Sequence, residues 1–92
     1  MEANLSEKTR RYERLLSEAL EAVDRDTVDE RGEEFVEMAQ SYLNDGRHFL
    51  ESGDEVNALA SFSYGHGWLD AGVRAGFYDH DADGGEELFA DE

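Results

Sequence analysis

The stretch SFSYGHGWLDAG, residues 61–72, decides how the chain is read. It holds three glycines, a histidine and a tryptophan between segments with helical spacing. Read as a loop, it is a glycine-rich site. Read as a helix, it must offset about 1 kcal/mol for each interior glycine relative to alanine. The spacing favours the helix. Ala58, Gly65 and Gly72 are small residues at seven-residue intervals, and Phe35, Tyr42 and Phe49 are aromatic residues at the same interval upstream. An antiparallel hairpin turning at Gly53 and Asp54 sets Phe49 opposite Ala58, Tyr42 opposite Gly65 and Phe35 opposite Gly72. It also sets Trp68 opposite Ala39, so that large faces small at every level, as close packing requires.

Working outward from that hairpin, three helices are expected over about 7–24, 30–52 and 55–77. Ser6 is the expected cap of the first, Asp29 or Thr27 of the second, and Asp54 of the third. Gly53 suits the left-handed position that ends the second. Leu5, Tyr12, Leu16, Ala19, Leu20 and Val23 share one face of the first helix. Val36, Leu43 and Leu50 on the second and Phe62, Leu69 and Val73 on the third turn to a common side, where the first helix is expected to close the groove. His66 falls on that inward side. The fold class is therefore all-α, an up-down-up three-helix bundle over residues 1–78, followed by an acidic tail, 79–92, expected to be disordered.

Tyr64, Trp68, Ala71 and Ala75 point away from the first helix, and Met38 sits near them. An uncovered patch of tyrosine, tryptophan and methionine is a candidate interaction face, carried by Tyr64, Trp68, Ala75 and Met38. Its bland counterpart is a tryptophan that covers one edge of the hairpin. Asp45, Tyr64 and Asp70 are candidates for a polar contact inside the hairpin, because a buried carboxylate needs donors such as Ser61 and Tyr64.

Charge sets the environment. The 92 residues carry 24 Asp and Glu against 8 Lys and Arg, a formal net charge of −16, and Lys8 is the only lysine. Such a chain repels phosphate backbones and anionic bilayers, so neither nucleic acid nor membrane is an expected partner. A hydrophobic fraction of 39% with clear periodicity excludes general disorder. A basic partner would use such acidity. Acid spread over every segment with almost no lysine fits better a surface for high salt, where repulsion is screened. There is no cysteine, and therefore no disulfide or thiolate site, and no proline to interrupt long helices. No apolar run reaches membrane-spanning length, and MEANLSEKTRRYER lacks a signal-peptide core, so the expected location is the cytoplasm.

Little in the chain suggests catalysis. Ser63, His66 and Asp70 lie on neighbouring rows of one helix, but a triad needs its nucleophile on a strained turn beside free backbone N–H donors. DHDADGG matches the opening of a calcium loop at Asp79, Asp81, Asp83 and Gly84, yet its twelfth position is Ala90 instead of glutamate. His48, His66 and His80 have no metal-ligand spacing. No cofactor and no enzymatic activity are expected.

The segment YLNDGRHFLESGDEVNALASFSYGHGWLDAG, residues 42–72, resembles the archaeal family known as domain of unknown function 357. The shared pattern falls on Tyr42, Asp45, Phe49, Leu50, Gly53 and Asp54, then on Asn57, Ala58 and Leu59. Its last group is Tyr64, Gly67, Leu69, Asp70 and Ala71. The resemblance implies a small archaeal three-helix bundle and supplies no activity. Together with the acidity it implies a haloarchaeal cytoplasm. Two function classes are carried forward. One is a non-catalytic module for self-association or for docking another protein. The other is a protein that binds a small ligand or a divalent metal through Asp45, Tyr64 and Asp70 or through the acidic tail.

Overall fold

The computed structural model describes residues 4–80 and Phe89. Three helices, α1 (Leu5–Ala22), α2 (Glu30–Glu51) and α3 (Glu55–Ala75), form an all-α bundle, with a short 3-10 turn at Arg25–Thr27. α2 and α3 make the long hairpin, and α1 packs chiefly on α3. The core is the groove the sequence predicts: Leu16, Ala19, Leu20 and Val23 meet Val36, Ala39 and Leu43 from α2 and Ala58, Phe62 and Leu69 from α3. Leu5 is exposed at the open end of α1, and Thr9 replaces it inside, its hydroxyl donating to the Leu5 carbonyl at 2.7 Å.

The helix ends follow from local chemistry. α1 starts two residues early because Asn4, not Ser6, is its cap, with Oδ1 accepting from the Glu7 N–H at 2.8 Å. Asp29 caps α2 through the Gly32 N–H, and Asp54 caps α3 through the Asn57 N–H. The Gly32 N–H, with Arg31 beside it, holds the Asp29 carboxyl below its usual range. α2 and α3 close in the same way. Gly53 and Gly76 adopt φ of 80° and 79°, and the next residue's N–H returns to the helix, from Asp54 to Phe49 and from Phe77 to Gly72. Gly76 therefore ends α3 at Ala75, two residues short of the expected Phe77.

The large-on-small expectation holds at Gly65 and changes at Gly72. A Cβ on Gly65 would lie 2.9 Å from Tyr42 Cβ and 2.7 Å from Leu16 Cδ2, so both neighbours pack where a side chain would be. A Cβ on Gly72 would fall on the hydroxyl end of Tyr78, not on Phe35. Phe35 turns outward, with its ring edge-on to Trp68 at 5.0 Å and to Phe77 at 5.2 Å. Trp68 thus has Phe35 as its aromatic neighbour on α2. Gly46 gives its space to the ring of Phe62, a pairing the seven-residue pattern does not contain.

The tail also departs from expectation. Residues 77–80 fold back over the α1–α2 connection. The Phe77 carbonyl accepts from Asp29 N–H at 3.1 Å, Asp79 N–H donates to Thr27 Oγ1 at 2.8 Å, and the Asp79 carbonyl accepts from Asp24 N–H at 2.8 Å. Val23 and His80 form an isolated antiparallel bridge. Thr27, a possible cap in the sequence, is used for this tie instead. Tyr78 is 2% exposed, and its hydroxyl donates to the Leu69 carbonyl at 2.7 Å. Phe89 is buried against His80 and, at 6.3 Å, against His66. The part of 79–92 that is described is thus packed on the bundle. The rest of the expected disordered tail, 81–88 and 90–92, lies outside the described residues.

Candidate protein-docking groove

Helical spacing places Ser63, Tyr64, Gly67, Trp68 and Ala71 on the side of α3 that α1 leaves open. Together with Phe35 of α2 they line a shallow groove of about 300 Å³, predominantly apolar. Tyr64 is 65% exposed and stacks loosely on Tyr42, ring centres 5.9 Å apart. Trp68 is half-buried against Phe35, and Phe35 is braced by Phe77, over which the Arg31 guanidinium sits at 4.5 Å. The tryptophan therefore both covers the hairpin edge and presents one side to the groove.

Of the residues expected on this face, Tyr64 and Trp68 line it. Ala75 is exposed beyond its end, and Met38 is half-buried outside it. Phe35, Ser63 and Gly67 were missed. Phe35 had been assigned to fill the space at Gly72, which Tyr78 takes. Gly67 carried a usable signal, being a mid-helix glycine with no aromatic at the matching level of α2.

The polar contact expected among Asp45, Tyr64 and Asp70 is not formed. Asp45 is exposed and its carboxylate makes no bond to Ser61 or Tyr64. Rotation of α2 carries it to the solvent side while Tyr42, Leu43 and Gly46 take the contact with α3. Asp70 is half-buried near Tyr78. Burial, with the Asp70 charge adding to it, pushes the Tyr78 hydroxyl up to about 12. His66 is a boundary residue under Phe89, as its inward position suggested. Ser63 is exposed in the groove within an unbroken helix, so no free N–H donors converge beside it.

Among the described residues no group of three His, Asp or Glu side chains is placed to hold a metal ion. Of the calcium-loop positions, Asp79 is exposed, while Asp81, Asp83 and Gly84 lie outside the described residues. Among the described residues no helix is long and apolar enough to cross a membrane.

No curated protein and no solved structure matches the chain. Residues 11–78, which run from the first turns of α1 through the Tyr78 that plugs the bundle, match the family described as "Protein of unknown function (DUF357)". With well over half of its length matched, the chain belongs to the DUF357 family.

Proposed function

We propose that this DUF357 member is a non-catalytic protein-interaction module of a salt-rich cytoplasm, docking protein through the α2–α3 groove. The groove itself carries the reading. It is an open apolar surface with aromatic walls, the composition that marks contact faces between proteins. A small-molecule site would enclose its ligand more fully and place several polar groups around it. Formal charge of −16 disfavours phosphate-bearing partners and leaves protein as the natural occupant. A photo-crosslinking amino acid at Ala71, an exposed groove residue, is expected to give a covalent protein adduct in an extract kept at molar salt. The same probe at exposed Glu21 of α1 should not. Equal labelling from both positions would count against the groove.

The acidity supports a haloarchaeal origin. Carboxylates are distributed over all three helices and their connections, with a single lysine among them. At low ionic strength these charges repel over about 30 Å, and at molar salt over about 3 Å. Dialysis from molar to 10 mM KCl is therefore expected to lower the melting temperature. A melting temperature that rises on desalting would refute adaptation to high salt.

A further inference from the structure

We infer that the occupant of the groove is a second copy of this chain, docked antiparallel so that the outer faces of two α3 helices meet about a twofold axis near Gly67. This rests on the reading of the groove as a protein-docking surface and names the partner.

Three observations converge on it. The first is a glycine without an internal reason. Seven glycines are described. Gly53 and Gly76 sit at positive φ, and a Cβ on Gly32, Gly46, Gly65 or Gly72 would strike Tyr78, Phe62, Leu16 or Tyr78 respectively. Among the described helical glycines only Gly67 would meet nothing within 4 Å, although it lies mid-helix, where glycine is the least favourable residue short of proline. Within one copy any side chain would fit there. Close approach of another backbone is what a side chain at that point would prevent.

The second is charge. Of the residues from Val56 to Ala75, Asp70 is the only acid, and it is half-buried near Tyr78. The exposed residues of α3 are uncharged apart from Arg74, which shares a row with Ala60 and Gly67. In a chain with 24 acidic residues this face stands apart from α2, whose exposed side carries six acids against two arginines, and from α1, where four glutamates mix with four basic residues. A cationic partner would seek those acidic surfaces. A second copy, itself at −16, would be repelled by them and could approach closely only where carboxylates are missing.

The third is direction. α3 carries Glu55 in its first turn and Arg74 in its last. A parallel pair would set like charges together at each end. The antiparallel pair, centred near Gly67, sets Arg74 of each copy beside Ala60 of the other and opposes the helix dipoles. An α3 of 21 residues is about 31 Å long, so with the adjoining edge of α2 the contact reaches on the order of 600 Å² per copy, at the lower end for a specific dimer. Association is thus expected to depend on concentration and to tighten with salt.

The test is the solution mass of the full chain in 2 M KCl, by sedimentation equilibrium from micromolar to millimolar protein. A species of twice 10.4 kDa is expected, with Gly67→Leu weakening association at least tenfold while its melting temperature at low concentration is no lower than that of the parent. Ala71→Glu, on the same exposed face, should dissociate the pair as well. A mass of 10.4 kDa throughout, or a dimer indifferent to both substitutions, overturns the self-pairing. A monomer whose Ala71 crosslinker captures a different protein also overturns self-pairing but leaves the docking groove standing. A monomer that captures nothing removes both.

Discussion

Phe62→Ala is expected to cost about 3–5 kcal/mol of folding stability, read as a lower urea midpoint in molar salt. Phe62 is fully buried at the meeting of all three helices, and its ring occupies the space that Gly46 leaves open on α2. The substitution removes the apolar contacts of a whole ring and leaves a cavity beside a glycine, with no flexible side chain at that position to collapse inward. Against a total of about 5–15 kcal/mol for a domain of ordinary stability, such a loss leaves a bundle near its unfolding threshold. The complementary change, Gly46→Ala, places a methyl group against the same ring and is expected to cost about 1–3 kcal/mol. Because the two residues compete for one volume, the double variant should be more stable than the summed effects require, by about 0.5–3 kcal/mol. Simple additivity would show that Phe62 does not occupy the Gly46 space.

Tyr78→Ala is expected to be comparably damaging, at about 3–5 kcal/mol by analogy with other buried aromatics. It removes the plug from the Gly72 hollow and with it the anchor of residues 77–80 over the α1–α2 connection. Tyr78→Phe keeps the ring and deletes only the bond to the Leu69 carbonyl, a loss of about 0.5–1.5 kcal/mol near neutral pH. The pH dependence separates the two contributions. Folding raises the Tyr78 hydroxyl from 10.0 to about 12, so the folded state holds the proton more tightly than the unfolded chain does. Its contribution is intact below about pH 10 and is lost as pH rises towards 12, by about 2.7 kcal/mol at 1.36 kcal/mol per unit. Phenylalanine has no proton to lose. The parent should therefore be the more stable of the two at pH 8, and the order should reverse by pH 12, as measured by urea denaturation of both proteins. A stability difference that stays constant across that range would place the hydroxyl in water.

The hairpin was legible in the sequence because its determinants are local and repeated. Gly53 and Asp54 punctuate the chain in adjacent positions, and the aromatic and small residues on either side keep a common seven-residue spacing. The inward face of α1 could be read for the same reason. Gly72 was misassigned because spacing shows that a hollow exists and not which residue fills it. Tyr78 lies just past Gly76, among acidic residues, and only the backbone reversal at φ 79° returns it to the bundle. Asp45 was misread in a different way. It sits three residues after Tyr42 and one before Gly46, and a modest rotation of α2 decides whether such a residue meets α3 or water. The groove was half legible. Tyr64 and Trp68 were evident as aromatic side chains with no helix left to cover them, whereas Phe35 entered only because Tyr78 had displaced it from the site expected for it.

The clasp of residues 77–80 over the α1–α2 connection also sets an order of events during synthesis. Proteins emerge from the ribosome N-terminus first, so α1 is exposed to solvent long before the chain that fastens it has been made. The hairpin of α2 and α3 is complete as soon as Ala75 is free, but the Asp24 and Asp29 N–H groups and the Thr27 hydroxyl gain their partners in the clasp only when Phe77 and Asp79 follow. Until α2 and α3 emerge, the apolar stripe of Leu16, Leu20 and Val23 travels unprotected on the nascent chain. The four glutamates of α1 are matched there by Lys8, Arg10, Arg11 and Arg14, so charge does little to keep neighbouring nascent chains apart.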